Sequence, residues 1–187
     1  MKKIVEELGI RLLNPAGMIP VRAVQRSVLR ELLKSLHPVE TEHPLIRIGA
    51  KADGGYLIPD DLEGISACFS PGVSTCSDFE KDCADRGMDI FLADRSVEGP
   101  ATSHPRFHFI KKYLGAFSDD DFMTMGEWMT LSQVDSGSDL LLQMDIEGFE
   151  YETIFNMTQE QMSRFRIMVF EFHYLPEMWA RSCFLMI

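Results

Sequence analysis

The stretch of sequence that decides the fold is LLLQMDIEGFE, residues 140–150. It opens with a short apolar run that ends at Asp145, and such a run is typical of a strand buried on both faces of a parallel sheet. After a turn, residues 149–155 are predicted to form a helix. The stretch therefore predicts one strand–turn–helix unit of an α/β sheet, with an acid at the carboxyl end of the strand.

The same alternation of strands and helices extends to both sides of this unit. Further strands are predicted at residues 66–70, 89–93, 107–110 and 167–172, and further helices at residues 74–86, 123–131 and 158–164. The potential N-cap residues of these helices are Ser74 or Thr75, Thr124 and Thr158. Continuous apolar strands that alternate with helices predict an α/β fold, with a mostly parallel, Rossmann-like sheet and helices on both faces.

The first 44 residues are predicted to form an N-terminal helical segment. Apolar residues recur at helical spacing over residues 21–36, and Pro38 ends that helix. Two apolar runs on either side of residues 53–55, Asp-Gly-Gly, then predict a β-hairpin. We therefore divide the chain into a helical segment, residues 1–44, and one domain, residues 45–187.

The charge of the chain limits the partners that it can bind. The sequence has 18 lysines and arginines and 29 aspartates and glutamates, so its formal net charge is −11. Such an acidic surface argues against nucleic acid and against an anionic membrane as partners. The four cysteines lack the spacing of a zinc site. We expect a cytoplasmic protein with reduced thiols and a small-molecule partner.

Ligands of open parallel sheets bind beyond the carboxyl ends of the strands, where the strand order reverses. The first predicted strand ends in Ser70-Pro71-Gly72-Val73-Ser74, and Gly72 allows the backbone to approach a ligand closely. Asp94 ends the next strand, where an acid can accept hydrogen bonds from both ribose hydroxyls. Glycine and acid together predict a nucleoside site.

The loop after the first strand also indicates which nucleoside. A dinucleotide loop needs three glycines to cradle a pyrophosphate, whereas this loop has only Gly72 and no phosphate-binding lysine. S-adenosyl-L-methionine has no phosphate, and its carboxylate could lie at the helix N-terminus near Ser74 and Thr75. The cofactor expected from the residues is therefore S-adenosyl-L-methionine.

Four motifs in this order resemble the FkbM family of methyltransferases: RIGAKADGGYLI (47–58), SPGVS…DFE (70–80), LLLQMDIEGFE (140–150) and VFEFH (169–173). The resemblance extends over roughly residues 45–175. It implies a class I methyltransferase fold, S-adenosyl-L-methionine as the methyl donor and, in most cases, the oxygen of a sugar or natural product as the acceptor.

The resemblance also implies roles for individual residues. Gly72 matches the glycine after the first strand, and Asp94 matches the ribose-binding acid. Ala116 and Phe117 fall in the segment that usually surrounds the adenine. Asp145, Glu147 and Glu150 match the acidic segment after the fourth strand. Together with the strand-end residues, the expected cofactor contacts are Ser70, Gly72, Ser74, Asp94, Ala116, Phe117 and Asp145. The loop departs from the fuller Gly-x-Gly-x-Gly pattern of many methyltransferases, so its backbone contacts stay open.

Methyl transfer from a sulfonium is an in-line displacement, to which positioning contributes most. A hydroxyl acceptor must also lose its proton to a base within hydrogen-bond reach. Asp145 and His173 are the candidate catalytic residues, and Asp145 is expected to matter more for turnover or folding than Glu147 or Glu150. Those two acids could instead complement a helix N-terminus. One strand-end acid is thin support for a magnesium site, so no metal is expected.

Two other functions remain open from the sequence. A nicotinamide-dependent oxidoreductase would use the same kind of sheet, although the missing glycines disfavour it. A non-catalytic adenosyl-binding or interaction module would retain the nucleoside site without the chemistry.

The sheet that this chain resembles has seven strands, whereas the sequence predicts five, the last of which ends at Phe172. We therefore expect an incomplete copy of the fold that lacks the final hairpin. The fifth strand would then present an uncovered apolar edge, through which the chain is expected to self-associate.

Overall fold

The computed structural model describes residues 23–73, 75–175 and 179–180. Their contacts divide them into two compact units. The smaller unit takes residues 23–38, 174–175 and 179–180, and the larger unit takes residues 39–173. Residues 174–175 and 179–180 therefore group with residues 23–38, whereas the sequence assigned them to the domain that begins at residue 45.

Short strands and helices follow one another along the described chain. In order they are α1 (Arg26–Ser35), β1 (Leu45–Gly49), β2 (Gly55–Pro59), β3 (Ile65–Pro71), α2 (Asp78–Asp85), β4 (Asp89–Ala93), β5 (Phe107–Ile110), β6 (Tyr113–Leu114), β7 (Phe122–Met123), α3 (Met125–Ser132), β8 (Asp139–Met144), α4 (Glu150–Asn156), α5 (Gln159–Ser163) and β9 (Phe165–Phe170).

Five of these strands form an all-parallel sheet in the order β5-β4-β3-β8-β9. The order reverses between β3 and β8, which are neighbours although β4 and β5 lie between them in the sequence. Phe69 of β3 lies opposite Phe91 on one side and Leu142 on the other. The α/β class and the parallel sheet predicted from the sequence are confirmed, and the sheet is compatible with a Rossmann-like fold.

Helices cover both faces of the sheet. Successive side chains of a strand point to opposite faces, and neighbouring residues of β3 belong to different apolar clusters. Cys68 packs with Phe79 of α2, whereas Phe69 packs with Trp128 of α3. Both β3 residues are fully buried, so the central strand is apolar on both faces because it contacts helices on both.

The predicted hairpin is present as the antiparallel pair β1–β2, with Leu45 opposite Pro59. Ile48 and Ile58 are buried in the same cluster as α2. The amide of Gly49 also donates to Oδ2 of Asp82 on α2, at 2.9 Å. The hairpin is therefore packed against α2 and forms part of the larger unit.

Two predicted helix starts are wrong. The helix expected over residues 74–86 begins at Asp78, after Ser77 with non-helical φ and ψ of −131° and 33°. The helix expected over residues 21–36 begins at Arg26, because Gln25 is extended and the amide of Val24 donates to the carbonyl of Trp179 at 3.0 Å. Residues 21 and 22 and Ser74 lie outside the described residues.

Two predicted caps are confirmed. The hydroxyl oxygen of Thr124 accepts the amide of Glu127 at the start of α3. Thr158 and Gln161 form a reciprocal capping box at the start of α5. These local signals succeed because each needs only side chains within one helical turn.

The last strand of the sheet, β9, covers residues 165–170 rather than the predicted 167–172. In the described part of the chain it pairs with β8 alone, so it is an edge strand there. Self-association through this edge stays a prediction. None of the helices that the structure describes is long and apolar enough to cross a membrane.

Candidate functional site

The loops after β3, β4 and β8 meet at the carboxyl edge of the sheet. The amide of Gly72 donates to the carbonyl of Ala93 at 3.0 Å, and the amide of Asp94 donates to the carbonyl of Ile110 at 3.2 Å. Gly72 and Asp145 are also in direct backbone contact. Three of the residues that the sequence singled out are therefore brought together where the strand order reverses.

Gly72 is required by the neighbouring loop. Its φ is +89°, and a Cβ added to it would lie 1.7 Å from the carbonyl oxygen of Asp145. The sequence predicted a close approach of this backbone to a ligand, whereas the structure shows a close approach to the backbone of the loop after β8. The glycine thus sets the distance between the ends of the two central strands.

The Asp94 side chain is largely buried, with 8% of its surface exposed. Its Oδ1 accepts the amide of Ser96 at 2.7 Å and the hydroxyl of Ser96 at 2.6 Å. Within the described residues, these hydrogen bonds leave Oδ2 for a ligand. Ser96 was not singled out from the sequence, although an Asp-x-Ser turn is a known local signal.

Ser70 does not face an open site, contrary to its predicted role as a cofactor contact. The side chain is 1% exposed, and its hydroxyl lies 2.6 Å from Oε1 of Glu80 and 2.7 Å from Oε1 of Gln143. A hydroxyl has one proton to donate. If Ser70 donates to Gln143, then Glu80 must be protonated and donate to Ser70.

Burial raises the pKa of Glu80, which favours this protonated form. The chain of polar groups continues from Gln143, whose Nε2 donates to the Tyr56 hydroxyl at 3.2 Å. Tyr56 in turn donates to Oε2 of Glu171 at 3.4 Å. A chain of hydrogen-bonded side chains therefore connects Glu80 of α2 with Glu171, which follows β9.

The raised pKa of Glu80 predicts a dependence of stability on pH. The unfolded chain releases the Glu80 proton at a lower pH than the folded chain, so this contribution is complete below the unfolded pKa and declines as the pH rises through the folded pKa. Glu80→Gln should remove that decline and raise the free energy of unfolding relative to wild type at pH 7. Urea denaturation across pH measures both.

The matched control for this variant is Glu160→Gln, which makes the same change at an exposed acid. Its stability should follow the wild-type pH profile. Identical profiles for Glu80→Gln and wild type would contradict a protonated Glu80.

Asp145, Glu147, Glu150 and His173 form one cluster beyond the ends of β8 and β9. Nε2 of His173 lies 3.7 Å from Oδ1 of Asp145 and 3.5 Å from Oε2 of Glu147. Nδ1 of the same ring lies 3.0 Å from Oε1 of Glu150. The two candidate catalytic residues, Asp145 and His173, are therefore neighbours, and both nitrogens of the imidazole face carboxylates.

Glu150 holds the loop between β8 and α4. Its side chain is 0% exposed, and Oε1 accepts the amides of Ile146 at 2.9 Å and Gly148 at 3.2 Å. Oε2 is buried and has no hydrogen-bond partner among the described residues. This acid therefore does more than complement a helix N-terminus, because it ties its own loop to the imidazole of His173.

The groups of this cluster shift one another's pKa values. Burial, followed by the charge of Glu171, raises the pKa of Asp145 to about 6, although His173 opposes that shift. Burial lowers the pKa of His173, but the hydrogen bond and charge of Glu150 and the charge of Glu147 outweigh it and raise that pKa overall. Perturbed groups of this kind are enriched at functional sites.

The segment predicted to surround an adenine follows β6. Ala116 is half-buried, and the ring of Phe117 is 50% exposed. The Phe117 ring centre lies 4.9 Å from that of Phe122, which lies 5.7 Å from that of Phe149. A row of aromatic rings therefore connects this segment to the loop after β8.

The start of α2 offers a further polar group. The hydroxyl of Ser77 is buried and has no hydrogen-bond partner in the described part of the chain. The N-terminus of a helix also has unpaired amides. Because α2 begins at Asp78, these donors lie three to four residues beyond the helix start that the sequence predicted at Ser74 or Thr75.

A cavity of about 580 Å³ lies elsewhere, between α3 and the amino-terminal part of the sheet. Its lining includes Ser66, Asp89, His108 and Trp128. None of the predicted site residues lines it. The candidate site at the carboxyl edge is therefore distinct from this cavity.

Comparison of the chain with protein-family models, with curated proteins and with solved structures found no match. The resemblance to FkbM methyltransferases thus stays a prediction from the motifs.

Proposed function

We propose that the chain is an S-adenosyl-L-methionine-dependent methyltransferase that acts on a hydroxyl oxygen of a sugar or natural product. The observation that carries this proposal is the meeting of Gly72, Asp94 and Asp145 where the strand order reverses. That position is the usual ligand site of open α/β sheets.

The residues present fit the polar groups of the donor. Asp94 offers a carboxylate that Ser96 orients, and this suits a pair of ribose hydroxyls. The first amides of α2, which have no partner within the helix, suit a carboxylate. The exposed Phe117 ring offers a flat surface for a base. When bound, the donor supplies an electrophilic methyl group on sulfur.

Asp145 and His173 would hold the acceptor. They lie at the mouth of the sheet, on the loop after β8 and beyond the end of β9. A hydroxyl placed between them could donate a hydrogen bond to either side chain, which would orient its oxygen and receive its proton.

Donor binding is expected to depend on Asp94. Asp94→Ala removes the carboxylate that would accept the ribose hydroxyls, so affinity should fall by about 1–3 kcal/mol, or about 5- to 150-fold. Isothermal titration with S-adenosyl-L-methionine measures the effect. Asp89→Ala is the control, because Asp89 is an acid at the opposite end of the same strand, and it should bind the donor like wild type. Equal affinities for both folded variants would contradict the ribose role.

Two further measurements separate the proposal from its alternatives. Titration with NAD⁺ identifies a nicotinamide-dependent enzyme. Transfer of a labelled methyl group to a panel of sugars and natural-product alcohols separates a catalyst from a module that only binds the adenosyl group.

A further inference from the structure

We propose that Asp145, Glu147 and His173 form a binding site for a first-row divalent metal ion such as Mn²⁺. One oxygen from each acid and one imidazole nitrogen all lie within 4.8 Å of one another. The three side chains come from the loop after β8 and from the segment after β9, so the sheet itself brings them together.

Two of the three distances are close to those between ligands that share one ion. Two ligand atoms that are each about 2.1 Å from a metal are about 3.4 Å apart at the tetrahedral angle. Nε2 of His173 lies 3.5 Å from Oε2 of Glu147 and 3.7 Å from Oδ1 of Asp145. Small side-chain rotations would therefore complete a three-ligand site.

Glu150 supplies a second and independent observation. Histidines that bind metals almost always donate their other ring nitrogen to a carboxylate or carbonyl. Nδ1 of His173 lies 3.0 Å from Oε1 of Glu150, and Glu150 is completely buried with Oε2 unpartnered among the described residues. This contact directs Nε2 toward Asp145 and Glu147. Glu150 therefore has the position of the carboxylate that orients the histidine in known metal sites.

The charges of the cluster also favour a cation. The ion pairs and hydrogen bonds that the structure describes bring no lysine or arginine to Asp145, Glu147 or Glu150. A dication would neutralise the two carboxylates that contact it. The backbone of Glu147 is left-handed, with φ +56°, which places this otherwise exposed acid beside the imidazole.

The donor set selects the class of metal. Imidazole nitrogen suits zinc, iron and other transition metals, whereas Mg²⁺ and Ca²⁺ prefer oxygen ligands alone. One nitrogen with two carboxylate oxygens therefore favours Mn²⁺, Fe²⁺ or Zn²⁺. Three protein ligands leave coordination positions for water or an acceptor oxygen. A hydroxyl held there would release its proton to solvent more readily, and Asp145 and His173 would then act on it as ligands of the metal rather than as its base. This consequence rests on the proposed function, although metal binding itself does not.

The sequence alone predicted no metal, because Asp145 was the single strand-end acid considered as a ligand. His173 is distant in the sequence, and its position beside Asp145 follows only from the pairing of β8 with β9. The local spacing of the ligands therefore gave no signal.

The test is a titration of the metal-free chain with Mn²⁺, followed by the electron paramagnetic resonance signal of the free ion and without any methyl donor. Wild type should bind one Mn²⁺ saturably, and Mg²⁺ should compete poorly. Glu147→Gln should weaken binding by at least about tenfold, since even outer-shell partners contribute about 10- to 100-fold. Because Glu147 is 85% exposed, this variant is expected to fold.

Glu152→Gln is the matched control, since it removes the same charge from an exposed acid on the following helix, and it should bind Mn²⁺ like wild type. His173→Gln should bind as poorly as Glu147→Gln. Absence of saturable binding to wild type, or equal weakening in Glu147→Gln and Glu152→Gln, would overturn the site. Loss of donor affinity in the Asp94 variant is measured separately, so the two proposals can fail independently.

Discussion

Gly72→Ala is expected to destabilise the fold by several kcal/mol. A residue other than glycine at φ +89° costs about 1–3 kcal/mol. The new Cβ would also lie 1.7 Å from the carbonyl oxygen of Asp145. Since that atom belongs to the backbone, the two central loops must separate, which costs about as much again. Urea denaturation measures the free energy of unfolding.

Two other glycines separate the cost of the positive φ from the cost of the contact with Asp145. Gly87 has φ +97° and open space around its Cβ position, so Gly87→Ala reports the backbone cost alone. Gly99 also has open space and no such φ, so Gly99→Ala should have the stability of wild type. A loss in Gly72→Ala no greater than that in Gly87→Ala would show that the contact with Asp145 is unimportant.

Strands and caps were predictable because their signals are local. The largely apolar run at residues 140–144 defines β8 to within one residue, since a strand buried on both faces is apolar at most of its positions. Thr124 and Thr158 define helix starts because their hydroxyls bond to amides three residues later.

The start of α2 could not be predicted in the same way. Ser74, Thr75, Ser77 and Asp78 are all residues that favour helix N-termini. The choice among them depends on tertiary contacts, because Val73 is buried in the core while Ser77 is still non-helical. Propensity ranks such residues too closely to decide between them.

The site residues that directly follow a strand were predictable, whereas the contacts between distant segments were not. Asp94 and Asp145 follow apolar runs, and each lies at the carboxyl edge as expected. Tyr56 reaches Glu171 only because the hairpin packs beside the sheet. In the sequence, Glu150 resembles any acid in the first turn of a helix. Only the structure shows that its side chain is buried and accepts the amides of Ile146 and Gly148.

Glu150→Ala is expected to cost about 2–6 kcal/mol of folding free energy, at about 1–3 kcal/mol for each of the two amides left without an acceptor. The substitution unpairs the amides of Ile146 and Gly148 and removes the carboxylate that contacts His173. For stability, this acid should therefore matter more than Asp145, the reverse of the order expected from the sequence. Chemical denaturation and the nuclear magnetic resonance signals of the His173 ring measure the loss of stability and of ring orientation.

Glu152 provides the control for this substitution, because it lies in the same first turn of α4 and is exposed. Both acids have the same favourable interaction with the helix N-terminus, which is worth about 0.3–1 kcal/mol. If that interaction were the whole role of Glu150, then Glu150→Ala and Glu152→Ala would destabilise the chain equally. We expect Glu152→Ala to cost less than about 1 kcal/mol and to leave the His173 signals unchanged, since its side chain holds neither the loop amides nor the imidazole.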